Sequence, residues 1–132
     1  MSRPSNALIV DDEAHVRAFL RLLLGEVGVT GCWEAGDGPT AVLLAQQHQP
    51  ELVLLDINLP GMNGLQVLEQ LKAAHPDMPV VMVTAQSGIN AVTEAARLGA
   101  SGYLLKQAPK NEALAALRDV LDSLDEDAEE KA

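Results

Sequence analysis

Leu52-Val53-Leu54-Leu55-Asp56-Ile57-Asn58-Leu59-Pro60-Gly61-Met62-Asn63-Gly64 lies near the middle of a 132-residue chain. Four apolar residues in succession, stopped by an acid and then by Pro-Gly and Asn-Gly turn dipeptides, read as a strand buried on both faces. A strand with one wet face would alternate instead. Ala7-Leu8-Ile9-Val10, Val80-Val81-Met82-Val83 and Tyr103-Leu104-Leu105 repeat the pattern, and Gly31 to Ala35 is a weaker fifth strand. Between these runs apolar residues recur at helical spacing. Val16, Leu20, Leu23 and Val27 form one stripe; Leu65, Leu68 and Leu71 another; Leu114, Leu117, Leu121 and Leu124 a third. Ala41, Leu44, Ala45, His48 and Ile89, Val92, Ala96 predict two shallower helices. Gln49-Pro50 and His75-Pro76 stop two helices, because the residue before a proline is steered out of the helical region.

Strand and helix thus alternate five times, the pattern of βαβ units. Right-handed crossovers then give one parallel sheet with helices on both faces, and ligands of such sheets collect at the carboxyl ends of the strands. The length suits one domain, expected over residues 1–122, with 123–132 as an acidic, disordered tail. That tail region is strongly charged: Asp122, Asp125, Glu126, Asp127, Glu129 and Glu130 face only Lys131. The formal net charge of the whole chain is −10, the wrong sign for a nucleic-acid backbone. Aromatics are only 2%, which removes the stacking platforms that bases and sugars require. The single Cys32 cannot form an internal disulfide, no leader pattern opens the chain, and no apolar run is long enough for a bilayer. A reducing, cytoplasmic setting without a membrane is expected.

The chemistry is expected at the strand ends. Asp11-Asp12-Glu13 follows the first strand, Asp56 the third, Thr84 the fourth and Lys106 the fifth. Neighbouring strands lie about 4.8 Å apart, so carboxylates ending two adjacent strands can share one ligand. Clustered carboxylates repel one another and call for a counter-charge. Oxygen donors without His or Cys suit a hard cation, and few protein ligands with several waters suit Mg²⁺. Lys106 adds a fixed positive charge and Thr84 a hydroxyl, a set suited to a phosphoryl group. His15, His48 and His75 lack metal-ligand spacing, and Gly36-Asp37-Gly38 reads as a turn entering a helix.

Leu8-Ile9-Val10-Asp11-Asp12-Glu13, Leu54 to Gly64, Val83-Thr84-Ala85 and Gly99-Ala100-Ser101-Gly102-Tyr103-Leu104-Leu105-Lys106 together resemble the receiver domain of two-component response regulators. The resemblance covers about residues 6–122. It implies a flavodoxin-like α/β/α fold with five parallel strands in the order 2-1-3-4-5 and five helices. It implies Asp56 as the acceptor of a phosphoryl group from a histidine kinase or histidine phosphotransfer protein. Asp11, Asp12, Asp56 and the backbone carbonyl of Asn58 would hold Mg²⁺, directly or through water. Thr84 and Lys106 would bind phosphoryl oxygens, Tyr103 would be the aromatic switch residue, and Asn58 and Gln86 would tune hydrolysis of the acyl phosphate. The fourth helix, fifth strand and fifth helix would then change their surface for a downstream protein or for homodimerisation. The pattern departs after Lys106, where the family's proline is displaced by Gln107-Ala108 to Pro109. Two other classes compete: a Mg²⁺-dependent phosphohydrolase with an aspartyl nucleophile, and a receiver-like adaptor that works without phosphorylation.

Overall fold

The computed structural model describes residues 4–85 and 89–131, the last turn and the start of the fourth helix by backbone alone. Five strands and five helices alternate: β1 (Asn6–Val10), α1 (Ala14–Glu26), β2 (Gly31–Ala35), α2 (Gly38–His48), β3 (Val53–Asp56), α3 (Gly64–Ala74), β4 (Val80–Thr84), α4 (Ile89–Arg97), β5 (Gly102–Leu105) and α5 (Lys110–Lys131). All strand pairs are parallel, in the order β2-β1-β3-β4-β5. This is the flavodoxin-like, doubly wound arrangement in three layers.

Each continuous apolar run feeds two cores, since successive side chains of a strand point to opposite faces. Leu8, Val10, Val53, Leu55, Val80 and Met82 face the layer of α2, α3 and α4. Ala7, Ile9, Leu54, Val81, Val83 and Leu104 face α1 and α5, where Leu20, Leu23, Leu24, Leu117 and Leu121 cover them. Local chemistry sets the helix starts. Asp37 caps α2 by accepting the Thr40 N–H at 2.8 Å, and Pro39 stands in its first turn. Asn63 caps α3 by accepting the Leu65 N–H at 2.7 Å, while Gln66 returns to the Asn63 N–H at 3.1 Å.

Three expectations need correction. The run Tyr103-Leu104-Leu105 is not buried on both faces: Leu104 is buried on one, whereas Tyr103 and Leu105 are 45% and 39% exposed. As an edge strand β5 is covered by α5 on one face, and on the other a cavity of about 240 Å³ separates Tyr103 from α4. In α4 the residue that meets the core is Ala95, with Ala96 exposed, so the predicted stripe is rotated by one position. Finally, the backbone from 123 to 131 continues α5 as a helix where an unstructured tail was expected. No Gly or Pro interrupts this segment, and its Ala, Glu, Leu and Lys residues are good helix formers.

Candidate functional site

The parallel register carries the polar residues to one edge. Asp56 and Thr84 are the last residues of β3 and β4, Asp11 follows β1, and Lys106 follows β5. Order matters here: β3 lies between β1 and β4, so Asp56 is flanked by Asp11 on one side and Thr84 on the other. The backbone continues the ladder into the site, with the Lys106 N–H donating to the Thr84 carbonyl at 2.8 Å.

Two carboxylates are pinned by the same local device. The Glu13 N–H donates to Asp11 Oδ1 at 2.9 Å, and the Asn58 N–H donates to Asp56 Oδ1 at 3.1 Å. Each side chain thus bonds the backbone two residues on, which holds the turn and leaves the second oxygen free to face the centre. Lys106 Nζ lies 2.9 Å from Asp56 Oδ2 and 2.8 Å from Asp11 Oδ2, with Glu13 Oε1 at 3.8 Å. Asp11 and Asp56 are buried, Thr84 is 3% exposed, and Asp12 and Asn58 are open to solvent.

The loop after Asp56 is shaped by backbone contact. Gly64 packs so close that an added Cβ would stand 2.1 Å from the Asp56 carbonyl oxygen, and its N–H donates to the Ile57 carbonyl at 2.7 Å. Glycine is therefore required there by proximity. Gly61, at φ +74°, supplies the left-handed turn.

Electrostatics follow from this geometry. Burial raises the Asp56 carboxyl above the ordinary aspartate range, the neighbouring Asp11 charge adds to the rise, and Lys106 and the Asn58 N–H only partly offset it. Burial works against the Lys106 ammonium, but its pairing with the Asp11 and Asp56 carboxylates prevails and holds its pKa above the ordinary lysine value. Lys106 is thus a permanent cation at this edge.

One carboxylate oxygen from each of Asp11, Asp12 and Asp56 lies within 4.8 Å of the other two. These donors fit a hard divalent ion. Asp11 Oδ2 is buried without a hydrogen bond, and Lys106 serves it as a counter-charge in poor alignment. A cation would give that oxygen the ligand it lacks.

Tyr103 stands outside this cluster. It lines the 240 Å³ cavity together with Thr84, Ile57, Met82, Val92 and Ala95. Thr84 thus ends β4 at the polar edge and also lines the cavity beside Tyr103. Gln86 lies outside the described residues. Among the described residues no peptide bond is cis. The histidines keep away from the site's core: His48 stacks on Trp33 with ring centroids 4.5 Å apart, and the nearest, exposed His15, pairs with Glu13 at 3.5 Å.

A sequence model of the response regulator receiver domain matches residues 7–118. The chain belongs to this family. The chemotaxis protein CheY-3 of Vibrio cholerae is 33% identical over 108 residues, 80% of this receiver and 83% of that protein. The transcriptional regulatory protein YdfI of Bacillus subtilis is 38% identical over 105 residues, 77% of this chain and 48% of YdfI. This receiver therefore spans about half the length of YdfI, and between about a fifth and a quarter of other curated regulators that it matches. Among solved structures, a chain of the CheX-CheY-BeF3-Mg²⁺ complex from Borrelia burgdorferi superposes with a TM-score of 0.82 at 27% identity, covering 89% of this chain and 90% of that one. The receiver family accounts for the order of motifs and for the acidic edge. No helix among the described residues is long and apolar enough to cross a membrane.

One contributor, Arg17, escaped the sequence reading, and Glu13 was placed at the strand end without a role. Glu13 approaches Lys106, and Arg17 donates to the Asp11 carbonyl from α1 at 2.7 Å. Glu13 adjoins the acid pair and could have been suspected from that alone. Arg17 sits among the polar positions of an amphipathic helix, where nothing local separates it from a solvated arginine.

Proposed function

We propose that this receiver is a phosphorylation-dependent switch in which Asp56 accepts a phosphoryl group from a phosphohistidine of a histidine kinase or histidine phosphotransfer protein. One observation carries the reading: a single ammonium is shared between two buried carboxylates, Lys106 standing 2.9 Å from Asp56 and 2.8 Å from Asp11. The arrangement holds a positive charge beside the nucleophile before any substrate arrives, so little reorganisation is needed when charge develops.

An oxygen of Asp56 attacks phosphorus, an O–P bond forms as the N–P bond to the donor imidazole breaks, and the electron pair leaves on that nitrogen. Asp11, Asp12, Asp56 and the Asn58 carbonyl are the residues that would hold Mg²⁺, which supplies charge neutralisation for the transferring group. Lys106 and Thr84 take phosphoryl oxygens. Asn58, exposed beside Asp56, would together with Gln86 orient the water that later hydrolyses the acyl phosphate.

Output follows from Thr84. Drawn toward the phosphoryl group, it vacates part of the cavity it shares with Tyr103, and the ring, now 45% exposed, turns inward. Tyr103 and Leu105 lie on one face of β5, so this movement alters an exposed apolar pair. The α4-β5-α5 face then binds a downstream protein or a second copy. The domain itself acts as a phospho-acceptor in the cytoplasm, without direct contact to nucleic acid.

Incubation with Mg²⁺ and acetyl phosphate is expected to add one phosphoryl group per chain, lost in Asp56→Asn, with amide shifts near Thr84 and Tyr103 in the beryllofluoride-treated protein. Continuous turnover of small phosphate esters would favour a phosphohydrolase instead. Partner affinity insensitive to both Mg²⁺ and beryllofluoride would favour an unphosphorylated adaptor.

A further inference from the structure

We infer that Arg17 is a positioning residue for the cation site: its guanidinium fixes the main chain of the Asp11-Asp12-Glu13 turn and thereby aims both acid side chains. The inference rests on the receiver reading proposed above. Its basis is a fork of contacts. Arg17 Nη1 donates to the carbonyl oxygen of Asp11 at 2.7 Å, and Nε donates to Glu34 Oε1 at 2.9 Å. Glu34 belongs to β2, Asp11 follows β1, and Arg17 belongs to α1, so one planar group ties three consecutive parts of the fold. The ladder between β1 and β2 ends at Val10 and Ala35, and the Asp11 N–H makes one further bond to the Ala35 carbonyl at 3.0 Å. Past that point the chain must turn into α1 without strand pairing. Arg17 fixes the Asp11 peptide at that turn, while Glu13 N–H fixes the carboxylate. The arginine side chain is 21% exposed, and its fixed fork suits it to hold two acceptors at once.

Charge and positioning predict opposite signs, which makes the idea testable. Coulomb repulsion alone would let a divalent cation bind more tightly once a nearby positive group is removed. Loss of a support behind the ligands would weaken binding, as it does for partners just outside metal ligand sets. Arg21 supplies the comparison. It also bonds Glu34, through Nε at 3.1 Å and through Nη2, both bonds going to the same carboxylate oxygen of β2.

The experiment is calorimetric titration of the full chain with MgCl₂, alongside urea midpoints without Mg²⁺. Arg17→Gln is expected to raise the Mg²⁺ dissociation constant about tenfold, and Arg21→Gln to leave it within about twofold, since exposed charges couple weakly through water. Arg17→Lys conserves charge but replaces the rigid planar fork with a point charge on a flexible stem, and an increase of about threefold is expected from the lost fork. This variant carries the test if Arg17→Gln fails to fold. An affinity unchanged or tightened in the folded Arg17 variants overturns the inference while leaving the receiver reading intact, and so does equal weakening by Arg17→Gln and Arg21→Gln. Absence of Mg²⁺ binding by the unaltered chain would sink both.

Discussion

Asp56 combines two demands that conflict. As the proposed phosphoryl acceptor it must be ionised, yet it is 1% exposed and lies beside Asp11. A carboxyl whose folded pKa stands above its unfolded value binds its proton more tightly in the folded state. Stability without metal therefore falls as pH rises from the ordinary aspartate range through the folded pKa of Asp56, and recovers as pH falls back. Asp56→Asn removes the charge and keeps most of the shape, leaving Lys106 paired with Asp11. Without Mg²⁺ it is expected to raise stability at neutral pH by about 1 kcal/mol, a common gain when a functional strain is relieved. Urea melts at a series of pH values check this: the advantage over the unaltered chain should vanish near the acid end. An advantage independent of pH would point to packing instead of charge.

The elements differ in what they contribute. The turn from β3 into α3 is governed by backbone approach, because Gly64 leaves no room for a Cβ beside the Asp56 and Ile57 main chain. Gly64→Ala must push that turn away from the sheet, at a cost of about 1–3 kcal/mol by the measure of overpacked sites. It should also slow phosphorylation, since the Asn58 N–H that holds Asp56 Oδ1 lies in the same turn. Melting midpoints and labelling rates would separate the two losses. α5 contributes through its core face. Leu117 is fully buried under the sheet among Leu104, Leu20 and Ile9 of the same core. Leu117→Ala is expected to cost about 2–5 kcal/mol in denaturant melts, while labelling of the protein that remains folded proceeds normally.

For the molecule as a whole, a cation bound at the acidic edge would link that edge to the stability of the fold. An ion that binds the assembled carboxylates and not the unfolded chain adds stability by mass action, about 2.7 kcal/mol when its concentration is a hundredfold above the dissociation constant. Thermal midpoints should therefore climb with MgCl₂ and fall back on chelation. Asp12→Asn should flatten that climb, because one of the three clustered carboxylates is then lost. Since Asp12 is exposed, the same variant should leave the metal-free midpoint nearly unchanged. A rise of equal size in Asp12→Asn would mean that Mg²⁺ only screens the net charge of −10.

Strand positions, helix stops and the placing of an acid, a hydroxyl or an amine at four of the strand ends were readable from the chain itself, because periodicity and turn chemistry act over a few neighbouring residues. Gly36-Asp37-Gly38, read as a turn entering a helix, stands at the start of α2, where Asp37 caps it. Tertiary structure decided what those groups do to one another. Lys106 finds Asp56 across 50 positions of sequence because β3 sits centrally in the sheet, and Arg17 reaches Glu34 because α1 folds back beside β2. The open face of β5 was likewise hidden, since an apolar run records what a strand could bury and not how far the next helix extends over it. Local forces set the elements; only their packing, summed over distant segments, brings charges together in a low-dielectric rim where they shift one another's pKa.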